Sequence, residues 1–316
     1  MHLVTIRAGG RDAAGVIAGD DILVPSAAGA LMPAGRLVPA DMIGLLEGGD
    51  AALDLVRKLR EEVLGAGAAR LAALRAAGAL VPRSQATLLA PVPNPGTILA
   101  AGMNSRAHQA EMNSPIPEKP VSLYKSPAAV IGTGEAIRPP AEWSGMIDFE
   151  GEFSAVFGTS CHRVKAADAL SCLAGYTLIN DVSARDWVPA VFTSKGVMEP
   201  IMRWEHNILG KQFPTFCPMG PTIATRDEIA DPSRVQLTTT LNGVVMQDAS
   251  MQDLIFGLPE LIEYYSQFYR FRPGDVITTG SPSGVGFGRN PKLFMKAGDR
   301  IEVSVKQIGT LSNPVA

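Results

Sequence analysis

Beyond about residue 90 the chain is built from short apolar runs, each stopped by glycine or proline within a few residues: "TILAAG", "SLYKSP", "EFSAVFG", "GYTLIND", "VQLTTTLNGVVMQD", "GDVITTGSP" and "DRIEVSVKQIGTL". Runs of this length between turn formers read as β-strands. A single clear helical stretch, "MQDLIFGLPELIEYYSQFY", interrupts them. Parallel pairing needs a crossover for each strand, so a strand-rich chain with few helices is directed to a mostly antiparallel sheet that rolls up or closes.

The first part of the chain reads differently. Two β-like runs, "HLVTIRAG" and "AGVIAGDDILVPS", lead into a helical region from about Pro39 to Ala79, where "DAALDLVRKLREEVL" spaces its apolar residues for one packed face. In "LLAPVPNPGTILAAGMN" Pro91, Pro93 and Pro95 forbid a continuing helix. A length of 316 residues suggests roughly two domains. The expected division is a small α/β domain over 1–90 and a β-rich domain over 91–316.

Composition excludes several roles. The net charge is −3, with Lys and Arg scattered, so nothing draws the chain to nucleic acid or to an anionic membrane. The N-terminus carries no apolar signal core, and no apolar run approaches the ~18 residues of a membrane span, which predicts a cytoplasmic protein. Cys161, Cys172 and Cys217 lack zinc-like spacing and are expected to be buried thiols.

"MIDFEGEFSAVFG" places Asp148, Glu150 and Glu152 at alternate positions, hence on one face if the strand is continuous. Two readings are open. The face is the wet side of a half-buried strand, or it enters the protein, as Val156 on the same face suggests, and the carboxylates share a cation. Asp181 ends the β-run "GYTLIND", either as a turn cap or as part of the polar group with Asn180, Ser183, Arg185 and Asp186. His108 in "AGMNSRAHQAEMN" has Glu111 three residues on; a short helix would put both on one face as a carboxylate-oriented base. Lys211, in "ILGKQFPTFCPMGP", carries no signal alone. The glycine-rich "GSPSGVGFG" lacks a Gly-Lys-Ser/Thr ending and runs into Asn290-Pro291, so it is not a phosphate or dinucleotide loop.

Together, "LLAPVPNPGTILAAGMNSRAHQAE", "DFEGEFSAVFG", "GYTLINDVSARD", "LGKQFPTFCPMGP", "LNGVVMQD" and "PGDVITTGSPSGVGFGRNP" resemble, in order, the fumarylacetoacetate hydrolase family. The resemblance implies an α+β, mainly β protein: a mixed β-roll or β-sandwich over 91–316 behind a smaller N-terminal extension. It implies a divalent metal on Glu150, Glu152 and Asp181, a water-activating pair at His108 and Glu111, and catalytic Lys211. Arg185, Gly280 and Ser281 would face the substrate. Family members act on β-diketo acids, acylpyruvates and related 2-oxo or enol acids, usually as homodimers. Val188 stands where the family often has Gln, Ser105 where it has Tyr, and Ser281 where it has Thr.

Hard oxygen ligands favour Mg²⁺ or Mn²⁺, with Ca²⁺ also compatible. The expected reaction is hydrolysis of a carbon–carbon bond in a small diketo acid; isomerisation or decarboxylation in the same site, or non-catalytic ligand binding, are the alternatives. The passage from Trp187 to Leu209 is long for a connection in a compact domain. It is expected to form a lid, with Gly196 and Pro200 breaking its regularity and Phe192, Met198, Met202 and Trp204 as its apolar surface; the alternative is a surface insertion with its own short helix and a dimer contact.

Overall fold

The computed structural model describes residues 1–8, 10–140 and 142–316. Among these the strands form a twelve-stranded sheet, a four-stranded sheet and a two-stranded ladder. Central to the largest are Gly151–Phe157 and Leu173–Asn180, antiparallel neighbours in which every residue is buried. On one side the sheet continues through Cys217–Thr225 to His2–Ala8 and Arg11–Ala18. On the other it runs through Val276–Thr278 to Ile98–Gly102 and Val121–Lys125. Most pairings are antiparallel; Val276–Thr278 beside Ile98–Gly102 is parallel. The α+β, mainly β class that the resemblance implies is what the chain adopts.

The four-stranded sheet orders Val244–Ser250, Gln236–Leu241, Arg300–Val305 and Gly309–Pro314. It meets the large sheet at Gly151. A Cβ there would lie 2.2 Å from Thr239 Oγ1 and 3.1 Å from Val303 Cγ1, so close approach of the two sheets requires glycine.

In the N-terminal part, the helix Gly49–Leu64 buries Leu53, Val56, Leu59 and Val63, the face its spacing predicts. That face joins a core cluster with Leu3, Val16, Val156, Ile179 and Val276. The first ninety residues therefore share both a sheet and a core with the central strands. The three cysteines are buried free thiols, as expected. Among the described residues no helix is long and apolar enough to cross a membrane.

Two expectations are corrected. The acidic run is not one strand: Ile147–Asp148 pairs with Ser183–Ala184 as a separate ladder, and the large sheet takes up the chain only from Gly151. The wet-face reading also fails, because Asp148, Glu150 and Glu152 are all buried. The passage 187–209 is not irregular. It folds as two helices, Val188–Thr193 and Met198–Leu209. Gly196, at φ 71°, turns the chain between them, while Pro200 sits in the first turn of the second helix, where its missing N–H removes no helical bond.

Candidate active site

Strand geometry brings the acidic residues together. Gly151 is directly opposite Asn180, so Glu150 and Asp181 flank the same end of the pair, and Glu152 lies two residues on from Glu150 on the same face. The ends are tied: Asp181 N donates to Glu150 O at 2.8 Å and Glu150 N to Asn180 Oδ1 at 3.0 Å. One carboxylate oxygen from each of Glu150, Glu152 and Asp181 lies within 4.8 Å of the others.

Three cations stand around this cluster. Lys211 Nζ donates to Glu150 Oε2 at 2.7 Å, to Asp181 Oδ2 at 2.6 Å and to Ser183 Oγ at 2.8 Å, which uses all three ammonium hydrogens. Arg185 reaches Glu150 and, through Nε, Asp148 Oδ2 at 3.0 Å. Lys125, fully buried, pairs with Asp181. Burial alone would raise the Glu150 pKa, but Arg185 and Lys211 overcome it and hold the carboxyl well below its ordinary range. Glu152 is pushed the other way, first by burial and then by the charges of Asp181 and Glu150.

Glu152 Oε2 is buried without a hydrogen-bond partner. An orphaned carboxylate oxygen facing two further carboxylates is an unsatisfied demand for positive charge at their common point. Glu150, Glu152 and Asp181 thus fit a hard divalent cation held by oxygen.

The cluster opens into a cavity of about 200 Å³ whose wall also includes His108, Arg185, Lys211 and Ser281. His108 lies on the short helix Arg106–Glu111, capped by Ser105, whose Oγ accepts from His108 N at 3.1 Å. Its Nδ1 meets Glu111 Oε2 at 2.9 Å, leaving Nε2 free. Glu111 is in turn fixed by the glycine-rich loop, since Gly284 N donates to its Oε1 at 2.9 Å. Gly288 makes room for that carboxylate; a Cβ there would stand 2.6 Å from Glu111 Cδ. The same loop holds Asp148 through Gly286 N at 2.7 Å and Phe287 N at 3.1 Å. The loop is a clamp on two acidic side chains.

Gly280 lies off the cavity wall. At φ 88° it turns the chain beside Ala101 O, 3.2 Å from where its Cβ would be. Asp148, grouped with the other acidic residues by the alternation, faces Arg185 and the glycine loop instead. Two residues escaped sequence reading. Lys125 ends an unremarkable β-run, and its one available signal was the number of acidic residues needing neutralisation. Gln247 joins the sheets, accepting from Gly151 N and donating to Ser281 Oγ at 2.9 Å; "LNGVVMQD" marked the segment but not that role.

The profile described as "Fumarylacetoacetate (FAA) hydrolase C-terminal" matches residues 97–316. The chain is 37% identical over 278 residues to oxaloacetate tautomerase FAHD2A, mitochondrial, of Bos taurus, covering 88% of this chain and 80% of that protein. It is 39% identical over 235 residues to oxaloacetate tautomerase YisK of Bacillus subtilis, covering 73% and 74%. Among solved structures, maleylpyruvate hydrolase from Sphingobium sp. SYK-6 in complex with manganese(II) ion and pyruvate is similar with a TM-score of 0.72 at 25% identity, over 100% of this chain and 99% of that one.

Proposed function

The chain belongs to the fumarylacetoacetate hydrolase family, and we propose that it is a divalent-metal-dependent tautomerase interconverting the keto and enol forms of a small 2-oxo acid of the oxaloacetate class. The observation that carries this reading is that an oriented imidazole and a three-carboxylate cluster share one small cavity. At about 200 Å³ it is below the ~300–1,000 Å³ of pockets for larger ligands. The relatives named as oxaloacetate tautomerases give the substrate class its chemical precedent.

A Mg²⁺ or Mn²⁺ ion on Glu150, Glu152 and Asp181 would polarise the 2-oxo group and acidify the adjacent C–H. His108 takes the proton from C3 through Nε2 and delivers it to the 2-oxo oxygen as the C2–C3 double bond forms; in the reverse direction it takes the enol proton and delivers it to C3. Glu111 keeps Nδ1 occupied, which fixes both the ring and its tautomer. Lys211 has no spare hydrogen, so its part is to hold Glu150 and Asp181 in register. Arg185 uses Nε and one terminal nitrogen on Asp148 and Glu150, and the remaining donors of its fork can take the substrate carboxylate. Ser281 Oγ accepts from Gln247 and donates a long hydrogen bond to Pro282 O at 3.3 Å, which it can exchange for one to the ligand.

Hydrolysis of a carbon–carbon bond in a diketo acid is the second reading. It is supported by full-length similarity to a hydrolase and by the suitability of His108 and Glu111 for activating water. Following the decay of the oxaloacetate enol absorbance, in parallel with cleavage of an acylpyruvate, separates the two. Metal-dependent acceleration of the first alone supports tautomerisation, and cleavage of the second at a comparable rate supports hydrolysis. Equal enol decay in chelated and metal-loaded protein would refute both.

A further inference from the structure

The second helix of the 187–209 passage is arranged inside out. Met198, Ile201, Met202 and Leu209 are exposed, while its buried residue is an amide, Asn207, at 8% exposure. Among the described residues the Asn207 side chain forms no hydrogen bond, yet it lines the cavity that holds the carboxylate cluster.

A second amide shares that wall. Gln109, 3% exposed, also lines the cavity, and its Nε2 donates to no group among the described residues. Otherwise the wall near the two helices is apolar: Val188, Val191, Phe192 and Trp204. An apolar wall suits a hydrocarbon tail; two unpartnered amides set into it do not.

Position along the helix indicates what Asn207 meets. It is about one turn after Trp204, and Lys211, which bonds Glu150 and Asp181, follows two residues past the end of the helix. In an extended 2-oxo acid, C4 lies three bonds from C1, about 3.8 Å away. A 2-oxo group seated at the cluster therefore extends its C4 substituent into the cavity whose wall Asn207 lines.

We infer that Asn207, assisted by Gln109, is a specificity-determining residue that receives a second carboxylate at C4, so the site selects 2-oxo diacids over acids with an alkyl tail. The inference rests on the proposed seating of the 2-oxo group at the cluster and names the substrate class of that same site. The amide N–H groups donate to the distal carboxylate. Because they are neutral, they discriminate by hydrogen bonding and add no charge to a site already crowded with it.

The test is calorimetric binding to the manganese-loaded protein, with 3,3-difluoro-oxaloacetate, which cannot enolise, as the diacid probe and pyruvate as the monoacid probe. Asn207→Leu should weaken the diacid about tenfold to a hundredfold, the size of a lost hydrogen bond to a charged group, and leave pyruvate within about twofold. Asn207→Asp should weaken the diacid further by repulsion, while Asn207→Ser, keeping a short donor, should fall between wild type and Leu. Equal loss for both probes, or an unchanged diacid-to-pyruvate ratio in all three variants, overturns the inference. Failure of wild-type turnover with this ratio intact would instead count against the tautomerase reading, so the two outcomes are distinguishable.

Discussion

Replacing Lys211 with methionine tests how the buried charges are balanced. The ammonium is 5% exposed and makes all of its bonds inside the cluster, two of them to carboxylates at 2.6 and 2.7 Å. Methionine fills the space of the stem but leaves Glu150 paired with Arg185 alone and Asp181 with Lys125 alone. Removing one partner of a buried ion pair costs about 3–5 kcal/mol. At roughly 2 °C of melting temperature per kcal/mol for a chain of this size, the metal-free variant should melt about 6–10 °C below wild type. A divalent cation restores the missing positive charge at the same carboxylates, so most of that deficit should disappear in Mg²⁺ or Mn²⁺. Calorimetric titration should show the variant binding metal at least as tightly as wild type, since a competing cation has gone. The measurement is a scanning-calorimetry series in chelator and in metal. A deficit of the same size in both, or weaker metal binding, would refute the account of Lys211 as an internal counter-ion to the ligand set.

His108→Ala should retain metal and pyruvate binding by calorimetry while losing about a hundredfold or more in turnover, the usual size of a general-base contribution; Glu111→Gln should fall between. Gly288→Ala sets a methyl against the Glu111 carboxylate and should lower turnover to the Glu111→Gln level with metal affinity unchanged. Burial pushes the Cys217 thiol up to about 12, and the Cys161 thiol likewise, helped by its Cys172 neighbour. An aromatic disulfide reagent at pH 8 should therefore find no thiol in the native protein and three after denaturation.

The cluster was legible because strand geometry is regular. Residues 150 and 152 share a face by period two, and Asp181 joins them by ending the neighbouring strand. Asp148 defeated the same rule, since a two-residue break at Phe149 and Glu150 sends it to another ladder, and alternation carries no mark of such a break. Lys125 and Gln247 were hidden for a different reason. Their partners are 56 and 96 residues away along the chain, and a local pattern does not record a distant contact. Asn207 ran against the pattern itself: amphipathic reading assigns the buried face of a helix to its Met and Ile residues, and here the cavity takes the amide. Helix in the 187–209 segment stands only in the alternative reading, because Gly196 and Pro200 read as breakers, although one lies between helices and the other in a first turn.

The pairing of the first strand with Cys217–Thr225 sets a timetable for synthesis. Leu3, wholly buried in the finished sheet, is aligned with Ile223. At 5–20 residues per second, the ribosome needs roughly 10–40 s to deliver the partner strand after the first has emerged. During that interval the apolar face of "HLVTI" has only the adjacent hairpin and helices to cover it, and although Thr87–Leu88 pairs with Ile6 and Arg7, the His2–Leu3 end of the strand edge stands unpaired. Completion of the sheet is thus a late, long-range event, the kind of contact that slows folding most. Chains released before residue 225 would present an open, apolar edge to one another, so truncated products should collect as aggregates, whereas the full-length chain closes that edge on itself.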